Sequence, residues 1–296
     1  MYQFTLSTDS TCDLYHDFLV ENEIYCAPLT YTIFKGDQAE DHLDNFTKYS
    51  EYVDFYNTLR GGALSKTAML NYEAHFTHFT ALAKNGAKDV VHFTISSGLA
   101  RTREVAAEAA AAVKADYPDF NVIVVDPLTA TIGQGALVRI ALKCRNEGWD
   151  AQKTADYVNS LRLHIQHFVV ADDLKYLKRG GRISAAVAAI GGVLNIKPII
   201  SFNKEGKLDS IDKRRGVKKA MEFIKNKMET EGPNELKFVS IVHTDNEPAA
   251  NGLKEYVIER FGIEPLVQIM GPVIGSHVGP GAFALVYITD SERNDF

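Results

Sequence analysis

Three constellations in the chain have residue types and spacing that could do chemistry. Ser96-Ser97 follows the apolar run Val90–Ile95 and precedes the Ala-rich stretch Thr102–Lys114. Backbone N–H groups at such a junction, the helix dipole and two hydroxyls make it receptive to an anion. The same pair also reads as a plain helix cap. The segment Gly271–Gly281, GPVIGSHVGPG, surrounds His277 with glycine and proline and is expected to be a loop. Glycine permits close approach of backbone to a ligand, and the histidine can bond to a carboxylate; an ordinary tight turn with a surface histidine is the alternative. Lys178-Arg179-Gly180-Gly181-Arg182 gathers three cations around a glycine pair. It suits a phosphate or an acidic protein face, or simply a solvated helix end.

The remaining histidines carry less. His75 and His78 stand at i, i+3, as do His164 and His167, and neither pair has the cysteine or carboxylate companions of a metal site. They are read as surface or core residues. Asp172-Asp173 reads as a cation ligand or as the cap of the helix after it. No GxxxxGK[ST], no GxGxxG between strand and helix, no HExxH and no GxSxG occurs. A Ser97–His277 nucleophile and base is conceivable. However, Thr94 and Ile95 stand where a nucleophile elbow needs glycine, and no third member of a triad is evident.

These residues need a scaffold, and 296 residues suit two domains. Hydrophobic residues make up 46% and charged residues 24%, which is a globular profile with enough apolar material for a sizeable core. A net charge of −6 does not favour nucleic acid as partner. Cys12, Cys26 and Cys144 are scattered, so a reducing compartment is expected. The N-terminus lacks the positive start and apolar stretch of a signal peptide, and no apolar run is long enough to span a membrane. A cytoplasmic protein is the expectation.

Phe4–Thr8, Val90–Ile95 and Asn121–Val125 read as strands, alternating with helices over Thr102–Lys114 and Thr131–Cys144. This order predicts an α/β domain with a parallel sheet over residues 1–160. Asp9–Thr11, Ser96–Gly98 and Asp126–Thr131 fall at the carboxyl ends of those strands, where ligands bind in such sheets. Residues 161–296 read as an α+β domain. Its expected elements are a strand at Phe168–Ala171, a short helix at Asp173–Lys178 and a small-residue helix at Ser184–Leu194. A hairpin follows over Lys197–Phe202 and Leu208–Lys213, then helices over Val217–Glu229 and Pro248–Phe261. Strands at Phe238–His243, Pro265–Ile269 and Phe283–Thr289 complete it, the last a candidate to pack back on the first domain.

Several segments together resemble the DegV family of bacterial fatty-acid-binding proteins. They are Ser7-Thr8-Asp9-Ser10-Thr11-Cys12-Asp13-Leu14, Ser96-Ser97-Gly98-Leu99, Asp126-Pro127-Leu128-Thr129-Ala130 and Gly133-Gln134-Gly135. The stretch Asp172–Ile200 and the segment Gly271–Gly281 follow in family order. The resemblance implies a two-domain fold with a long-chain fatty acid held between the domains. It implies a carboxyl group bound by Thr67, by Ser97 or its neighbour Ser96, and by His277. It further implies that the bound acid is presented to a separate ATP-dependent kinase, which makes the acyl phosphate for phospholipid synthesis, with Arg179 and Arg182 in the segment that faces it. The chain departs from the family at Ala68-Met69-Leu70, where Ser-Gln-Pro is common, and at Ala100-Arg101, where Ser-Gly is.

The residue chemistry is compatible with that role. A fatty acid needs a dry slot for its tail and a small polar end for its carboxylate. Each buried methylene contributes roughly 0.8 kcal/mol before binding costs. The stretch Ala185–Leu194 is a candidate wall for the slot, or merely a closely packed helix. Acyl phosphate chemistry needs a nucleotide cradle and a metal, and the sequence has no motif for either. The expectation is therefore a lipid-binding carrier without cofactor or metal rather than an enzyme. A Ser/His acyl-ester hydrolase and a small-anion sensor without lipid remain the alternatives.

Overall fold

The computed structural model describes residues 2–183 and 195–295. The expected helix Ser184–Leu194, with its proposed role as a cavity wall, lies outside the described residues. The first sheet is built from β1 (Thr5–Asp9), β2 (Ile24–Ala27), β6 (Asp89–Phe93) and β7 (Asn121–Val125). All its pairs are parallel, in the order β2-β1-β6-β7. Three of the four strands were legible as short apolar runs, which is how strands buried on both faces read.

Between β2 and β6 the chain forms elements that sequence reading passed over. Strands β3 (Thr30–Lys35), β4 (Gln38–Leu43) and β5 (Leu64–Ala68) make a separate antiparallel sheet, and helices α2 (Tyr49–Arg60) and α3 (Tyr72–Lys84) flank β5 in the chain. The reason they were missed is physical. Strand β4, QAEDHL, is solvated along nearly its whole length and lacks the apolar alternation of a half-buried strand. Only Tyr31 and Ile33 of β3 dip into a core, packing on Phe55, Tyr56 and Leu59 of α2.

The third sheet has six strands, ordered β10-β9-β8-β13-β11-β12. These are β8 (Ile165–Val170), β9 (Ile196–Phe202), β10 (Leu208–Arg215), β11 (Val239–His243), β12 (Leu266–Ile269) and β13 (Phe283–Ile288). The last strand belongs to this sheet. It pairs antiparallel with both β8 and β11 in its middle. All six of its residues are buried, and they divide by parity. Phe283, Leu285 and Tyr287 pack on α8 (Val217–Glu231) and α9 (Glu247–Phe261). Ala284, Val286 and Ile288 join the core that also holds Leu6, Phe93 and Val125 of the parallel sheet.

That shared core is centred on α5 (Ile132–Asn146), of whose 15 residues 12 are buried. Its Gly135 makes the closeness possible, since a Cβ there would lie 2.7 Å from the Cys12 carbonyl oxygen. Gln134 bonds to Thr8 and Asp9 and accepts from Thr11. The second oxygen of Asp9 accepts the Ile95 N–H at 2.8 Å. One buried network thus ties the loops after β1 and β6 to α5. No helix among the described residues is long and apolar enough to cross a membrane.

The segment Gly271–Gly281 is not the expected loop. It contains a helix, α10 (Pro272–Val278), with Pro272 in its first turn, where a missing N–H costs nothing. Gly279, at φ +79°, ends it. Dense glycine and proline here bracket a short helix instead of preventing one.

Candidate functional site

Strand β5 and helix α10 meet through side chains. Ser65 and Thr67 lie two residues apart on β5 and so face the same side. Ser65 Oγ is 2.6 Å from Ser276 Oγ, and Thr67 Oγ1 is 2.7 Å from His277 Nε2. The N-terminus of α10 is held as well. Asp13 accepts the Gly271 N–H at 2.8 Å, and Tyr56 donates its hydroxyl to the Met270 carbonyl at 2.7 Å. Burial lifts the Asp13 carboxyl to about 7.

His277 looks into a cavity between the sheets. Among the described residues 21 line it, and 15 of those are aliphatic, methionine or phenylalanine side chains. They come from both domain-forming halves of the chain, for example Leu29, Ile95 and Leu99 on one side and Val169, Ile200 and Phe202 on the other. Polar lining is sparse and includes Thr67, Arg182 and His277. Burial, with Arg182 and Arg179 adding to it, holds the His277 imidazole down to about 4, so the ring is neutral near pH 7. Its Nδ1 is buried and has no partner among the described residues. A neutral ring bonded to a hydroxyl, beside a guanidinium, on the wall of a mostly apolar cavity has the chemistry to hold a single carboxylate on an apolar body.

The family model described as an uncharacterised protein of the DegV family matches residues 3–290. The chain belongs to the DegV family. A DegV domain-containing protein of Clostridium perfringens is 31% identical to it over 296 residues, covering 99% of this chain and all of the relative. A Thermus thermophilus DegV family protein, whose solved structure is described as showing fatty acid binding, is 28% identical. It covers 97% of this chain and 99% of its own, with a TM-score of 0.81. A DegV lipid binding protein of Thermotoga maritima superposes with a TM-score of 0.83 over 98% of this chain and all of its own; at 24% identity the likeness is one of fold.

Of the residues singled out from the DegV sequence, the structure brings Thr67 and His277 together. Ser96 and Ser97 are placed differently. Ser96 is fully buried, its hydroxyl donating to the Gly206 carbonyl at 2.8 Å and accepting the Gly98 N–H. The Ser97 N–H donates to Asp126 at 3.1 Å, so it is not free for an anion. The lining passes from Ile95 to Leu99 without either serine. Helix α4 (Thr102–Asp116) starts several residues later and neither serine caps it. The two arginines separate. Arg182 lines the cavity near His277, whereas Arg179 is exposed and lies over the Tyr176 ring at 5.0 Å. The positions that depart from the family pattern also divide, for Met69 and Ala100 line the cavity and Arg101 is exposed.

Sequence reasoning missed most of the lining, including Leu29, Met270, Ile274 and His167. Apolar residues from many separate elements carry no local signal that they face a void instead of a core. The local sequence around His167 supports only a surface or core histidine.

Proposed function

We propose that this DegV-family protein binds a long-chain fatty acid and presents its carboxyl group to a separate ATP-dependent fatty acid kinase. The observation that carries the binding reading is the grouping of Thr67, His277 and Arg182 on the wall of a mostly apolar cavity. The carboxylate accepts from Arg182 and from the Thr67–His277 pair; Ser97, in the turn between the lining residues Ile95 and Leu99, is a candidate third hydroxyl. The tail lies along Ile95, Leu99, Val169, Ile200 and Phe202. The fatty acid binding described for the Thermus thermophilus relative supports the same reading.

The carrier role follows from what acyl phosphate formation requires. A carboxylate must attack a nucleoside triphosphate held in a phosphate cradle with a metal, and the sequence has no motif for such a cradle. Lys178 and Arg179 are exposed on the segment packed against His277, which suits docking of a partner whose own surface is acidic. A hydrolase is a poorer fit. For a Ser97–His277 pair, the His277 Nε2 is already bonded to Thr67, His277 is a weak base at about 4, and its Nδ1 has no carboxylate partner among the described residues.

Mass spectrometry of the purified protein, native and after denaturing extraction, tests the reading. One fatty acid released per chain on denaturation is the expected result. A protein that is empty and takes up no added fatty acid would overturn it. For the kinase step, the loaded protein mixed with a fatty acid kinase and ATP is expected to yield acyl phosphate; none forming with any such kinase would sink the presentation role.

A further inference from the structure

The same cavity contains a second polar feature that carboxylate binding does not use. His167 on β8 is 1% exposed and lines the slot. Its ring is held in place on three sides. Nδ1 lies 3.3 Å from Thr129 Oγ1, the ring tilts against Phe202 at 5.2 Å, and Gly133 lies beside it, a Cβ there standing at an ordinary contact distance of 3.4 Å from Nδ1. Its Nε2 is buried without a partner among the described residues. Thr102 Oγ1, fully buried and on the same lining, is also unpartnered there. Burial, with Arg293 adding to it, lowers the His167 imidazole to about 3, so the ring acts as a neutral hydrogen-bonding group.

His167 has no hydrogen bond to Thr67, His277 or Arg182 among the described residues; its partners are Thr129 and Phe202. Phe283, which follows α10 in the chain, pairs with Val170 at the end of β8, and Gly180 against His277 also comes after that end. His167 lies three residues back along β8, roughly 10 Å of strand. With the carboxylate on Thr67 and His277, a polar atom offset in this way would meet the tail of the bound acid rather than its head. Buried polar atoms in folded proteins are almost always paired, and leaving one unpaired is costly.

We propose that the cavity selects a fatty acid with a hydroxyl group on its chain, and that His167 Nε2 is the partner of that hydroxyl. A hydroxyl both donates and accepts, so it pairs with Nε2 in either tautomer of the ring. A plain methylene at that point leaves the nitrogen unpaired. The inference rests on the fatty-acid reading above and refines it from a lipid class to a tail chemistry.

The test is calorimetric titration of the delipidated protein with octadecanoic acid and with its positional hydroxy isomers. The readout is the ratio of the two affinities. One isomer is expected to bind about tenfold tighter than the plain acid, which is the equivalent of one hydrogen bond. His167→Leu is expected to bring the ratio to one, and His167→Gln to retain part of it. His277→Ala should weaken both acids and leave the ratio as it was. An isomer series with no preference in the parent protein, or a preference that persists in His167→Leu, overturns the inference while the fatty-acid reading stands. Failure of every acid to bind overturns that reading first.

Discussion

Gly180 lies against the imidazole of His277 so closely that a Cβ on it would stand 2.1 Å from Nδ1 and 2.9 Å from Cε1. The glycine is not needed for its backbone, since φ there is −74°, an angle any residue adopts. It is needed because the ring occupies the space a side chain would take. The basic segment and the histidine, read from the sequence as separate features, are therefore one packed unit.

Gly180→Ala is expected to displace the ring and separate Nε2 from Thr67. Fatty acid affinity should fall about tenfold or more, the loss of at least one hydrogen bond to a charged group. Gly180 caps its helix rather than lying inside it, so the same collision is expected to lower thermal stability as well, by about 1–3 kcal/mol. Unaltered affinity in titrations of this variant would mean that the ring position does not matter to the ligand.

His277→Ala and Thr67→Val each remove one partner of the carboxylate. Each should weaken fatty acid binding by roughly 1–3 kcal/mol. The double variant should lose less than the sum, because the two side chains are bonded to each other. Full additivity in a double-mutant cycle would contradict a shared contact. Ser97→Ala, in the turn between the lining residues Ile95 and Leu99, is expected to weaken binding in the same titration, and unchanged affinity would remove Ser97 from the carboxylate's partners.

The two arginines are expected to behave differently although they stand three residues apart. Arg182→Ala should weaken lipid binding, because Arg182 lines the cavity. Arg179→Glu should leave lipid affinity near that of the parent and reduce acyl phosphate formation with the kinase. Loss of lipid affinity in Arg179→Glu would argue against a docking role for that residue.

Asp13 gives a pH-dependent prediction. Burial raises its carboxyl from 3.8 to about 7, so the folded protein holds a proton there that the unfolded chain has already released. A raised acid stabilises the fold most below its unfolded value, and that stability is lost as pH rises through about 7. Asp13→Asn keeps an oxygen to accept the Gly271 N–H and cannot ionise. Relative to the parent, this variant should gain on the order of 2 kcal/mol between pH 5 and pH 8 in urea unfolding. A stability difference that does not change with pH would show that Asp13 is not the titrating group.

Local signals account for what could be read in advance. The runs VVHFT and NVIVV announced the parallel sheet because a strand buried on both faces is apolar throughout. The Ala-rich face of α4 announced a helix for the same kind of reason, a short-range pattern of burial. The polar strand β4 and the bracketed helix α10 failed that test. One is solvated and the other is enclosed by residues that usually break helices.

The sequence by itself determined the family, the parallel sheet and the histidine-bearing segment, because each is written in contiguous residues. Only the tertiary structure decided which groups share the slot. Thr67 and His277 are 210 residues apart and bond through a strand–helix contact that no periodicity encodes. Ser96 has the right chemistry for a carboxylate and is occupied by Gly206, 110 residues away. Arg182 and His167 each turn toward the cavity because of their neighbours in space. A side chain's partner is set by which surfaces the packing of three sheets brings within hydrogen-bond reach, and that is a property of the whole chain at once.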